Sequence, residues 1–259
     1  MKKYVKDAWI LKKERIAGDV VRLTVSNPMP DVEIAAGQFY GIMPSRGSEK
    51  LVRRPISVCE ANQEEIVFMV KVLGKGTQEL ADMREGETMS IMGPLGNGFT
   101  VEGDKKALVI GGGIGIAPLV QLLKELEDQG QSNVRTMLGY RDQPYGLDQF
   151  GQYTNNLIAV SENGPAQHMG YATQFLHEAL KTGAYDMVYA CGPEAMLHCI
   201  QVDCESLGIP VQLSTERNMA CGVGACLVCT CATKGGDYIR TCTEGPVFYG
   251  DEVTFDEAS

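Results

Sequence analysis

The chain has 259 residues, with 23 Lys and Arg against 33 Asp and Glu, a formal net charge of −10, and 44% hydrophobic and 22% charged residues. This is an ordinary globular composition, long enough to bury one large core or two to three small ones. The acidity excludes nucleic acid and an anionic membrane surface as main partners, and no apolar run reaches the ~18 residues that read as a membrane span.

The charge is unevenly spread. Residues 1–102 carry 14 basic and 14 acidic side chains, residues 103–211 carry 6 and 12, and residues 212–259 carry 3 and 7. A neutral front and an acidic back point to more than one module. The nine cysteines are also uneven: five of them fall between 221 and 242. Met1-Lys2-Lys3-Tyr4 leads into alternating polar and apolar residues rather than a secretory apolar stretch. A reducing cytoplasmic setting is therefore expected, where a cysteine cluster binds metal or works in redox chemistry.

In chain order, the first hundred residues are β-rich and punctuated by Gly and Pro. Strand-like runs cover 20–25, 37–42, 55–59, 65–72 and 88–92, with one short helix at 77–83. Such spacing predicts a small barrel or sandwich. From about 105 the texture changes. The apolar strand 106–110 runs into Gly111-Gly112-Gly113-Ile114-Gly115, then a helix over 117–126 with Leu119, Leu122, Leu123 and Leu126 on one face. Further strands at 134–138, 157–160 and 187–190, with helices at 170–181 and 194–207, predict a doubly wound parallel sheet. Beyond 211 Gly and Cys dominate, and Asp251, Glu252, Asp256 and Glu257 form an acidic tail. So short a segment needs a metal or crosslink to organise it.

Three segments carry chemistry. Cys221, Cys226 and Cys229 are spaced C-x4-C-x2-C, and Cys242 follows thirteen residues later. This is the plant-type spacing for a [2Fe–2S] cluster. Gly222 and Gly224 relieve crowding where backbone N–H groups turn toward sulfur, and the fourth ligand is expected from a following strand. Structural zinc also takes four thiolates, but usually from two C-x2-C knuckles, and only one is present. Cys231, two residues from Cys229 on a strand-like stretch, should point to the same side and reads as a packed or neighbouring thiol.

The second segment is the Gly loop 111–115, which either admits phosphate to a helix N-terminus or is simply a tight turn. Cys191-Gly192-Pro193 follows another apolar strand, so it lies near the same carboxyl edge. The third is Arg53-Arg54-Pro55-Ile56-Ser57 with Gly74-Lys75-Gly76-Thr77. An Arg here either guards a sheet edge or grips a pyrophosphate.

Taken together and in this order, R-P-x-S and G-x-G-T in a barrel, then G-G-G-x-G-x-A-P, then C-G-P, the chain resembles the ferredoxin–NADP reductase superfamily. The runs from Gly93 to Phe99 and from Glu216 to Cys229 are similar to the electron-transfer subunits of class B dihydroorotate dehydrogenase. The resemblance implies an FAD-binding antiparallel β-barrel (1–102), an NAD-binding doubly wound parallel α/β domain (103–211) and a C-terminal plant-type [2Fe–2S] module (212–259). It implies that Arg54 holds the FAD pyrophosphate, that Ser57 bonds near flavin N5 and that Pro55 and Ile56 line the ring. Val70, Lys71 and Val72 would pass the ribityl or ring region, and Gly76 and Thr77 would donate to the phosphates. Gly112, Gly113 and Gly115, with Cys191, Gly192 and Pro193, would place NAD(H), and Cys221, Cys226, Cys229 and Cys242 would hold the cluster.

By the same resemblance, the partner is an FMN-containing catalytic subunit in a heterotetramer of two plus two, and the residue acting on dihydroorotate belongs to that partner. Arg141 beside Asp142 leaves NADP open alongside NAD. A ferredoxin-linked NAD(P)H transhydrogenase or hydrogenase subunit is the competing reading. Transhydrogenase-type relatives are expected to carry an Asp at the first cluster position, where this chain has Cys221.

Overall fold

The computed structural model describes residues 4–44, 52–103 and 105–255; Asp256 and Glu257 of the acidic tail lie outside these. Strands β1 (Tyr4–Ala17), β2 (Val20–Ser26), β3 (Phe39–Pro44), β4 (Arg54–Ala61), β5 (Glu65–Lys71) and β6 (Thr88–Leu95) close into a barrel in the order β1-β2-β5-β4-β3-β6. All six pairings are antiparallel. Helix α1 (Lys75–Asp82) bridges β5 and β6. Alternate residues point inward, so Val21, Leu23 and Val25 of β2 meet Tyr40, Ile42, Phe68 and Val70 in the barrel core. The first strand, β1, has no clean alternation to announce it. Of its fourteen residues only Ala8 and Ile10 are buried, and the register shifts between Ile10 and Lys12.

The second unit runs β7 (Ala107–Gly112), a 3₁₀ turn (Gly113–Ile116), α2 (Ala117–Asp128), β8 (Val134–Tyr140), α3 (Leu147–Phe150), β9 (Leu157–Ser161), β10 (His168–Met169), α4 (Ala172–Gly183), β11 (Met187–Cys191), α5 (Glu194–Leu207) and β12 (Val211–Ser214). Every residue of β7 and β11 is buried, the pattern of parallel strands covered on both faces. Val109, Tyr189 and Leu138 face α2 on one side, while Leu108, Ile110, Val188 and Ala190 face α4 and α5 on the other. This is the doubly wound arrangement the alternating elements predict.

The C-terminal segment holds a hairpin of β13 (Thr230–Ala232) and β14 (Tyr238–Arg240), then β15 (Val247–Tyr249). The sheet reads β10-β9-β8-β7-β11-β12-β15, with β15 antiparallel to β12. The cysteine segment is thus tied into the α/β core, where Phe248, Val253 and Phe255 are buried.

Candidate cofactor cleft and thiol cradle

A cleft of about 400 Å³ opens where the barrel, the Gly loop and the segment after β12 meet. This is the size of a small-molecule site, at the carboxyl edge of an open α/β sheet. Of the residues singled out from sequence, Arg54, Pro55, Ile56, Ser57, Lys71, Thr77, Gly115 and Cys191 line it. The sheet register explains part of this, since Phe39 pairs with Ser57 and Ile42 with Arg54.

The two neighbouring arginines separate. Arg53 donates to the Ser90 carbonyl at 2.8 Å and to its hydroxyl at 2.9 Å, stitching β6 to the barrel. Arg54 faces the cleft, held by Glu79 at 3.6 Å and by the Val52 carbonyl at 2.6 Å. Its guanidinium lies over the first turn of α1, where a Cβ on Gly76 would come within 2.0 Å of Nε. Any larger side chain at Gly76 would displace the Arg54 guanidinium from this position. A fork of N–H donors above a helix N-terminus suits an anionic pyrophosphate. The Thr77 hydroxyl donates to the Gly74 carbonyl and accepts from the N–H groups of Leu73 and Gly74. Thr77 caps α1, while its side chain still borders the cleft. Val70 points into the barrel core and Val72 packs against it, so their side chains do not line the cleft.

At the sheet edge the Gly loop and the Cys191-Gly192-Pro193 turn press on each other. A Cβ on Gly115 would sit 2.7 Å from the Gly192 backbone, and one on Gly112 would meet Met196 Sδ at 2.4 Å and Pro193 at 3.1 Å. Gly113 faces open space but has φ +56°, which excludes most side chains. The close approach is thus both loop-to-loop packing and an open N-terminal edge. Burial pushes the Cys191 thiol up to about 12, so it stays protonated. Sequence reasoning assigned no role to Ser214, Thr215, Arg217 or Met219, which wall the far side of the cleft. Ser214 ends β12, and the other three lie in the irregular chain between β12 and the cysteines, where no periodicity marks them.

Beyond that wall lie the four thiols. Gly222 and Gly224 adopt φ +66° and +80°, and the loop they shape aims the N–H groups of Val223, Ala225 and Cys226 at the Cys221 sulfur, 3.4, 3.3 and 3.4 Å away. Burial pulls the Cys221 thiol pKa up, but these donors outweigh it and bring it down to about 6. A cradle of N–H groups around a sulfur fits a negatively charged iron–sulfur cluster. Cys221 interacts with Cys226, and Cys242 with both Cys229 and Cys221. Among the described residues, no three metal-binding side chains converge as a single ion demands.

Two local expectations are corrected. Cys242 lies in the turn after β14 rather than on a strand. Cys231 does not share a side with Cys229: Cys229 packs with Phe39, Leu95 and Cys242, whereas Cys231 joins the α/β core and receives the Thr241 hydroxyl at 3.9 Å. The backbone turns at Val228 and Cys229, just before β13.

A nucleotide-sized cleft between a barrel and a doubly wound sheet, with a thiol cradle behind it, defines a flavin- and nicotinamide-binding oxidoreductase with an attached iron–sulfur module. Family models agree: an oxidoreductase FAD-binding domain matches residues 7–99, an oxidoreductase NAD-binding domain 109–202, and the iron–sulfur cluster binding domain of dihydroorotate dehydrogenase B 216–254. The dihydroorotate dehydrogenase B (NAD(+)) electron transfer subunit of Clostridium acetobutylicum is 41% identical over 88% of this chain and 89% of that protein. Its counterpart from Caldanaerobacter subterraneus is 35% identical over 96% and 98%. The solved structure of an NADH-dependent reduced ferredoxin-NADP oxidoreductase superposes with a TM-score of 0.84 at 31% identity, covering 96% of this chain and 90% of that one. Phthalate dioxygenase reductase shares the fold alone, with a TM-score of 0.66 at 18% identity over 92% and 94% of the two chains. The chain belongs to the family of electron transfer subunits of dihydroorotate dehydrogenase B (NAD(+)), with FAD-, NAD- and iron–sulfur-binding domains.

Proposed function

We propose that this chain works in a reducing cytoplasm as the electron-transfer half of a complex with an FMN-containing, dihydroorotate-oxidising subunit, in a two-plus-two assembly. The observation that carries the reading is adjacency: the cleft bordered by Arg54 and Ser57 shares Phe39 and Met219 with the cluster of buried residues that holds Cys229 and Cys242, while Cys226 is exposed. Bound at these adjacent sites, a one-electron cluster and a flavin would join single-electron traffic to two-electron nicotinamide chemistry.

The residues divide this work by module, 1–102, 103–211 and 212–259. Arg54 and the first turn of α1 at Gly76 and Thr77 hold the flavin pyrophosphate, while Pro55, Ile56 and Ser57 orient the ring and Lys71 supplies charge beside it. Val70 and Val72 contribute backbone and barrel packing. Gly112, Gly113 and Gly115, with Cys191, Gly192 and Pro193, present NAD(H) to the flavin. Cys221, Cys226, Cys229 and Cys242 ligate the iron. Val223, Leu227 and Val228, all exposed beside Cys226, supply an apolar face for the partner. Cys221, where an Asp is expected in transhydrogenase-type subunits, favours this reading over the competing one.

Co-expression with a dihydroorotate-oxidising flavoprotein tests the proposal. The expected outcome is a stable complex that reduces NAD+ when given dihydroorotate. A chain that never associates with such a subunit and instead reduces ferredoxin overturns it.

A further inference from the structure

The thin wall between the cleft and the thiol cradle has a composition of its own. Phe39, at the start of β3, and Met219, two residues before the first cysteine, both line the cleft. On their other side the same two residues pack with Leu95 and Met92 of β6 against Cys229 and Cys242. Phe39, Leu95 and both thiol residues are 3% exposed or less. The packing extends to the cysteine loop, because a Cβ on Gly222 would stand 2.9 Å from Met92 and 3.2 Å from Leu95.

The wall is also fastened at both ends. Asn97 donates its backbone N–H to the Gly245 carbonyl at 2.6 Å and its side-chain amide to the Glu244 carbonyl at 2.9 Å, just beyond Cys242. Gly96, at φ +73°, passes so close that a Cβ would meet the Gly245 oxygen at 2.4 Å and the Phe39 ring at 3.1 Å. Thr215 donates its backbone N–H to the Pro246 carbonyl at 2.8 Å, fixing the start of the irregular chain that leads to Met219. The polar bonds thus lie around the rim, and the centre is apolar.

We propose that Phe39 and Met219 are positioning residues for electron exchange. They form a dry contact between the Cys229–Cys242 side of the cluster and the flavin in the cleft, so that this thiol pair, not Cys221–Cys226, faces the flavin. Their aromatic and thioether side chains fill the gap without polar atoms that demand water. Water or a hydrogen-bond donor placed there would stabilise the extra negative charge of a reduced cluster and so shift its potential. The step is the transfer of one electron between the two cofactors, with no bond made or broken at either side chain. The inference rests on the flavin and cluster assignment of these domains, not on the identity of the partner.

The test uses the full chain with both cofactors loaded. Met219→Gln keeps the side chain's length but makes it polar, Met219→Leu keeps it apolar, and Phe39→Leu thins the wall from the opposite side. Stopped-flow absorbance after mixing with NADH gives the ratio of cluster reduction to flavin reduction, and a redox titration gives the cluster's midpoint potential. For Met219→Gln the ratio should fall by about tenfold, the scale of effects seen for residues packed around a metal site, and the potential should rise. Met219→Leu should keep both within about twofold, and Phe39→Leu should lower the ratio. If Met219→Gln and Phe39→Leu, with full flavin and iron content, keep the parent ratio and potential, the proposal is overturned. Loss of iron from Met219→Gln alone leaves Phe39→Leu to decide. A parent chain that binds neither cofactor instead overturns the domain assignment on which the inference rests.

Discussion

Cys226 stands exposed while Cys242 is fully buried, although the two belong to one four-thiol set. Removing the exposed member should therefore disturb the cradle without touching the barrel. Cys226→Ser is expected to lose the iron, and with it the cluster's visible absorption, while retaining flavin and its reduction by NADH. Iron and flavin analysis of the purified protein, beside an NADH bleaching assay, checks this. A variant that loses flavin as well would show that the cradle and the cleft do not fold as separate sites. The four-cysteine set stands out in sequence because a plant-type cluster spacing is written directly in it. The direction of Cys231 does not, because it depends on the turn at Val228 and Cys229, just before β13. Arg53 and Arg54 likewise look alike in sequence, and only the pairing of β3 with β4 and β6 sends one to Ser90 and the other to the cleft.

The strand-to-helix turn after β7 offers two kinds of glycine within three residues. At Gly113 a methyl group meets no atoms within 4 Å, so Gly113→Ala pays only for φ +56°, about 1–2 kcal/mol. At Gly115 the same methyl would overlap the Gly192 backbone at 2.7 Å. Gly115→Ala must push the two loops apart, costing about 1–3 kcal/mol, and it should also raise the KM for NADH because the Cys191-Gly192-Pro193 edge moves. Urea unfolding with NADH kinetics separates the two: both variants lose stability, but the larger KM change belongs to Gly115→Ala. At this scale the sequence served unevenly. Buried parallel strands and α2, α4 and α5 were legible from apolar runs and helical periodicity. Strand β1, a barrel strand with only Ala8 and Ile10 buried and charged residues through the rest of its length, was not, and β15 has only three residues and a long-range partner.

Across the whole molecule, hydride transfer requires the barrel and the α/β unit to hold one relative orientation, and side chains of α2 supply much of that connection. Gln121 accepts the Ala61 N–H at 3.0 Å, and Lys124 reaches Glu60 at 3.6 Å. Tyr153 donates to the same Glu60 at 2.6 Å, and Arg22 pairs with Asp148 at 3.1 Å. Glu125 accepts the N–H of the fully buried Ala36 at 2.8 Å and is steadied by Gln121 at 3.1 Å. Burial raises the Glu125 carboxyl pKa, and the two donors only partly oppose it. The folded chain therefore holds this proton more tightly than the unfolded chain, and charging the group costs stability as pH rises through the carboxylate range. Two substitutions separate that charge from the hydrogen bond. Glu125→Gln keeps an oxygen for Ala36 and removes the charge, so at neutral pH it should be neutral or slightly stabilising. Glu125→Ala leaves the Ala36 N–H buried without its partner and should cost about 1–3 kcal/mol. Because the lost bond joins the two units, amide exchange should quicken around Ala35 to Gln38, and hydride transfer from NADH should slow more than NADH binding weakens. Thermal unfolding of the two variants at neutral and mildly acidic pH checks the sign. If Glu125→Gln destabilises as much as Glu125→Ala, the carboxylate charge rather than the Ala36 bond holds this seam together.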